Sequence, residues 1–173
     1  MRNFVLAIAA VAALSPLAFA AHAAEVDKRK DVAAVRKKIT GVWKLIGTEV
    51  QVQDGKTTYP RGQHPSGYII YTADGHMFVQ IQDGAEIRPP AHDGPMTEAE
   101  QAQAYRSYTA YYGPYTLNTD EGYVVHHREG SLVPNQSGGE VRRYYEFKGD
   151  ELILHIPSNN PGQMPSNIFV RVN

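Results

Sequence analysis

The chain has 173 residues, of which 42% are hydrophobic and 20% charged, and its 17 Lys and Arg against 18 Asp and Glu leave a formal charge of −1. This is the composition of a globular domain, and the near balance of charge excludes a nucleic-acid binder, which needs a positive excess to displace counterions from phosphates. Cysteine is absent, which excludes disulfides, thiolate nucleophiles and cysteine-ligated metals.

Residues 1–23 carry one charge, Arg2, then an apolar run from Phe4 to Leu14, Ser15-Pro16, and small-residue ends at Ala18-Phe19-Ala20 and Ala21-His22-Ala23. That order predicts a cleaved secretory signal peptide. The apolar run is too short and too broken to span a bilayer comfortably, and no cysteine follows it to carry a lipid. The expectation is a periplasmic or secreted protein of about 150 residues starting near Ala21 or Ala24, with no stable membrane insertion after signal removal. Loss of Arg2 makes the mature charge −2.

Residues 24–40 are expected to form an N-terminal helical segment. Val32, Val35 and Ile39 recur at spacings of three and four, which predicts a helix over 25–39 with a thin apolar stripe. Lys28, Arg29, Lys30, Arg36, Lys37 and Lys38 occupy its other face, as on a solvated helix packed across one end of a domain.

From Gly41 the pattern changes to short Val-, Ile-, Tyr- and Phe-rich segments punctuated by Gly, Asp, Asn and Pro, the mark of strands and turns. Strands are predicted at 41–53, 56–60, 67–73, 76–82, 111–118, 122–133, 140–148, 151–157 and 167–172. Asp54-Gly55, Asp74-Gly75 and Gly149-Asp150 read as tight hairpin turns. The series is interrupted by a proline-rich loop over 83–96, and Thr97 with Glu100 forms a capping box opening a helix over 98–109. A run of eight or nine antiparallel strands hides its edges completely by closing, so residues 41–173 are expected to form one all-β, up-and-down barrel.

Pairing Val133 with Glu140, and Lys148 with Glu151, sorts the later strands into two faces. Val124, His126, Arg128, Leu132, Val141, Arg143, Tyr145, Phe147, Leu152, Leu154 and Ile156 share the more apolar face, which is expected to line the interior. His127, Glu129, Ser131, Arg142, Tyr144, Glu146, Ile153 and His155 share the other. His126, Arg128 and Arg143 are then polar side chains inside a barrel, where a charge costs several kcal/mol unless paired or wetted. They sit near an open end or meet a polar part of a ligand.

Gly41-Val42-Trp43, with Arg171 near the end of the last strand, resembles the lipocalin kernel. The segment from Pro65 to Met77 resembles the "GYLIYTxDGxM" stretch of the bacterial and fungal lipocalin-like domain family. Tyr111 to Tyr115 resembles its "YxGxY", Val125 to Asn135 its "VxHHxExSLxPN", Gly139 to Tyr144 its "GxxQxR", and Asp150 to Leu154 its "GDxLxL". The matches run in order from Gly41 to Arg171, with departures at Arg128, Glu140 and Phe169. The resemblance implies an eight-stranded antiparallel calycin-type barrel with a cavity, in which Trp43 plugs one end and Arg171 packs across it.

His126 and His127 point to opposite faces of a strand and cannot simply share one metal, and no His-x-His spacing occurs, so no metal site and no cofactor are expected. Gly-rich nucleotide loops and Gly-x-Ser-x-Gly are also missing. His127 and Glu129 share a face, where a carboxylate could orient an imidazole as a general base, and they are the catalytic candidates; the plainer alternative is an exposed cross-strand polar cluster. Tyr105, Tyr108 and Tyr112 recur at near-helical spacing and could lid the barrel mouth, or simply pack the inserted helix against the barrel. The candidate ligand-binding residues are Arg88, Tyr108, Tyr112, His126, Arg142 and Arg143. The leading expectation is an exported protein holding a small, largely apolar or aromatic molecule in its barrel. The alternatives are a cofactor-free isomerase, cyclase or hydrolase using a His/carboxylate pair, and a filled barrel acting as a structural or partner-binding domain.

Overall fold

The computed structural model describes residues 31–52, 55–84 and 93–172. The expected signal peptide, the first turns of the N-terminal helix and Arg88 lie outside them. Helix α1 covers 31–39. The strands are β1 (Gly41–Gln51), β2 (Thr57–Thr58), β3 (Ser66–Tyr71) and β4 (His76–Gln82), then helix α2 (Glu98–Arg106), then β5 (Tyr108–Asn118), β6 (Tyr123–His127), β7 (Gly130–Ser131), β8 (Glu140–Lys148), β9 (Glu151–His155) and β10 (Met164–Arg171). A single 3-10 turn, Pro134–Gln136, lies between β7 and β8.

The strands pair antiparallel in the order β1, β3, β4, β5, β6, β8, β9, β10, and β10 returns to β1, with Trp43 opposite Arg171 and Leu45 opposite Phe169. The sheet is therefore a closed eight-stranded barrel, with β2 appended to β1 and β7 continuing the line of β6. Alternation builds it: Met77, Val79 and Ile81 of β4, and Leu152 and Leu154 of β9, point inward and are buried. Trp43, Leu45, Ile69, Tyr71, Tyr115, Val124 and Phe169 complete the core.

One end is closed. Ile39, the last residue of α1, is fully buried in the core and accepts a hydrogen bond from the Trp43 indole at 2.7 Å. The cations of this helix are not all solvated: Arg36 lies over the Tyr115 ring and Lys38 over Phe147. Arg171 lies 4.1 Å from the Trp43 ring centre and donates to the carbonyls of Lys38 and Thr40. Glycine is required at 41 because a Cβ there would sit 2.5 Å from the Arg171 guanidinium, on a backbone with φ +139°.

Several sequence expectations shift. Helix α2 ends at Arg106, so Tyr108 and Tyr112 belong to β5 and alternate with Tyr111 instead of sharing a helical stripe. The capping box is present, with Thr97 accepting from the Glu100 amide and Glu100 accepting from the Thr97 amide. The partner of Glu140 is His127, not Val133. That correction is six residues, an even number, so the interior assignment of Val124, His126, Val141 and Arg143 survives it. The strand expected over 122–133 is broken instead by a bulge. Tyr115 faces His126, but Tyr112 faces Gly130 and Tyr111 faces Ser131, so one extra residue is inserted at Arg128-Glu129. Gly113 makes room for it: a Cβ there would lie 2.0 Å from the His127 carbonyl oxygen. Beyond the bulge the faces exchange, so Ser131 stands on the Tyr111 side and Leu132 on the Tyr112 side.

Candidate functional site

The open half of the barrel is where polar side chains enter the interior. His126 is fully buried, held between two tyrosines: Nε2 lies 2.7 Å from the Tyr71 hydroxyl and Nδ1 3.0 Å from the Tyr111 hydroxyl. Burial drives its pKa down to about 3, helped by the nearby Arg143 and Arg128 guanidinium groups. The imidazole is therefore neutral at physiological pH. Burial likewise raises both flanking phenols, Tyr71 strongly.

Above this trio the interior widens. A cavity of about 70 Å³ is bounded by Ile69, Val79, Tyr111, His126, Leu154 and Phe169, with Arg61 and Arg143 at its rim. It shares Arg61, Thr109, Tyr111 and Arg143 with a larger cavity of about 250 Å³ at the mouth, whose wall also includes Tyr108, Arg128, Ser131, Val133, Gln136 and Val141. The lower cavity has room for roughly two waters, so the closed half is filled by side chains and the free volume sits at the mouth.

Each arginine of the mouth has a different setting. Arg61 is paired with Asp83 at 2.5 Å and donates to Thr109 at 3.0 Å. Arg128 donates to the Gln136 side chain at 2.9 Å, and its Nε–H has no acceptor among the described residues. Arg143 donates to the Arg142 carbonyl at 2.8 Å. Among the described residues no Asp or Glu side chain lines either cavity.

The structure brings His126 and Arg143 together and separates them from the other expected residues. Arg142 is on the outer wall, 4.1 Å from the Tyr123 ring centre. Tyr112 is also outside, half exposed and stacked on Phe78 beside an outer groove of about 480 Å³ that reaches Leu132 and Pro134. Tyr108 borders the mouth while its hydroxyl donates to Gln80 at 3.2 Å. His127 is on the outer wall between Thr116 at 2.9 Å and Glu140 at 2.8 Å, so its carboxylate partner is Glu140, and Glu129 is exposed. Tyr71, Tyr111, Arg61 and Ser131 were not among the expected ligand residues, and Arg128 was expected only as near an open end or against a polar part of a ligand. Tyr111 is recoverable from the sequence, since it shares parity with the buried Tyr115. Arg61, in the loop before β3, carries no such signal.

Among the described residues no group of three His, Asp or Glu side chains could hold a metal, and no helix is long and apolar enough to cross a membrane.

Several solved structures are similar to this chain. A lipocalin-like protein from Bacteroides uniformis is 15% identical, with a TM-score of 0.40, over 78% of this chain and 98% of the other. Two variants of the fluorescent protein UnaG are each 13% identical, with TM-scores of 0.36, over 79% of this chain and 97% and 98% of theirs. No curated protein matches. The model of the lipocalin-like domain family matches residues 40–172, which span the closed barrel from the residue before β1 to the residue after β10. The chain belongs to the lipocalin-like domain family.

Proposed function

We propose that this protein is exported and binds one small, largely apolar molecule at the open end of its barrel. The observation that carries the reading is the mouth cavity of about 250 Å³, which shares the walls of Tyr111 and Arg143 with the smaller space beside His126. Together they fall near the lower end of the roughly 300–1,000 Å³ usual for ligand sites, which favours a compact molecule over a long chain. Tyr111, Val133 and Val141 offer apolar wall, and the arginines offer orientation.

Binding is favoured over catalysis by the state of the two histidines. A base with a pKa of about 3, both nitrogens already engaged, is poorly matched to proton abstraction near neutrality. His127 faces away from the cavity. Native mass spectrometry of the exported protein tests the reading. A co-purified small molecule that leaves on unfolding supports it; a bare chain that also takes up no apolar probe overturns it. The mass of the same sample tests export, which requires a new N-terminus near Ala21 or Ala24.

A further inference from the structure

The polar groups around the mouth are donors in marked excess. Three guanidinium groups line it, and among the described residues only Arg61 has a carboxylate partner, Asp83. Arg128 and Arg143 have neutral acceptors, Gln136 and a backbone carbonyl, and Arg128 keeps a further N–H with none among the described residues. The chain as a whole carries a charge of only −1, so this is local placement and not general basicity.

The tyrosine–histidine trio adds one more donor. The Tyr71 hydroxyl is buried, and His126 Nε2 is its hydrogen-bond partner among the described residues. A buried O–H left without an acceptor costs about 1–3 kcal/mol, so Tyr71 donates to Nε2. A neutral imidazole then carries its hydrogen on Nδ1 and donates it to the Tyr111 oxygen. Tyr111 keeps its own proton, lines both cavities together with Arg143, and has its hydroxyl in contact with the Arg143 side chain. The trio works as a one-way chain that ends in a donor.

We propose that the mouth recognises an organic anion: the ligand is a compact apolar molecule bearing an ionised acidic group, which sits between Arg143 and Arg128 and accepts from the Tyr111 hydroxyl. This rests on the reading of the mouth as a small-molecule site and adds its chemical class. Guanidinium–oxyanion pairing supplies charge-assisted hydrogen bonds, and the desolvated setting above His126 strengthens them. A neutral molecule of the same shape would leave the charges of Arg128 and Arg143 with neutral acceptors alone.

Two probes of similar shape separate the claims: 8-anilinonaphthalene-1-sulfonate, which is anionic, and N-phenyl-1-naphthylamine, which is neutral. Both are titrated by fluorescence into the full exported chain and into Arg143→Gln, Arg128→Gln and, as a surface control of equal charge change, Lys44→Gln. The sulfonate is expected to bind the unmodified protein at least about tenfold tighter than the amine, and each mouth variant to lose about tenfold for the sulfonate only. Lys44→Gln should alter neither. Circular dichroism establishes that each variant is folded, and Arg143→Lys, which keeps the charge, should recover part of the sulfonate affinity. Equal binding of the two probes, or equal loss of both in the variants, overturns the anion assignment while the small-molecule reading stands. Failure of both probes to bind the unmodified protein overturns both.

Discussion

Arg171 and Trp43 face each other across the β1–β10 seam, with the guanidinium 4.1 Å from the indole ring centre, and both hydrogen-bond to the end of α1. The indole donates to Ile39, and the guanidinium donates to Lys38 and Thr40. One contact therefore closes the sheet, plugs the barrel and satisfies carbonyls that a helix end leaves open. Arg171→Lys keeps the charge but loses the planar fork and the stacking, and should cost about 1–3 kcal/mol in urea unfolding. Hydrogen exchange should show the amides of α1 released ahead of the strands. If the helix stays as protected as the sheet, Arg171 is not what docks it.

Stability should fall with acid through His126. Its folded-state pKa is about 3, against about 6.5 for the unfolded chain, so below pH 6.5 the unfolded state binds a proton that the native state refuses. The stabilisation is complete above that value and declines as pH falls towards 3, by at most about 1.4 kcal/mol per pH unit. Urea midpoints between about pH 6.5 and 4.5, above the main carboxylate range, should show the slope. His126→Gln retains hydrogen bonding to the tyrosines and should flatten that part of the profile.

The bulge at Arg128-Glu129 depends on Gly113. Gly113→Ala would place a methyl 2.0 Å from the His127 oxygen and 2.8 Å from the Glu129 nitrogen, at φ +152°. A loss of about 3 kcal/mol or more is expected. Gly122→Ala, at φ +72° with open space around it, should cost only about 1–2 kcal/mol. Thermal or urea unfolding of the two variants side by side checks the difference.

His127 is bonded to Thr116 and Glu140 on the outer wall. His127→Ala and Glu129→Ala should each shift stability by less than about 1 kcal/mol and leave probe binding at the mouth unchanged. A large loss of binding in either would move the site to the other side of β6.

Most of the barrel was legible because it is made of short alternating strands joined by turns with strong local chemistry. The kernel contact was legible from Gly41, Trp43 and Arg171, and the interior position of His126 and Arg143 followed from parity alone. What parity missed has one physical source. It assumes an unbroken period of two, and that period slips at Arg128-Glu129 and again in β1 between Leu45 and Gly47. Ser131 and Leu132 therefore exchange sides relative to the expectation. The near-helical spacing of Tyr105, Tyr108 and Tyr112 misled for a related reason: the helix stops at Arg106, and a spacing of four places two strand residues on one face as readily as it does on a helix. Arg61 reaches the mouth from a loop, where no periodicity speaks.

The extra residue opposite Gly113 has a consequence for how the mouth could be altered. Upstream of it, the line of β6 contributes His126 to a sealed interior; downstream, the same line contributes Ser131 to the rim. Deleting one residue between His127 and Gly130 would restore the alternation and turn Leu132 inward in place of Ser131. The rim would change from hydroxyl to aliphatic at that point. Chain length at that point thus acts as a dial on the chemistry of the opening, independent of the residues that hold the closed end together.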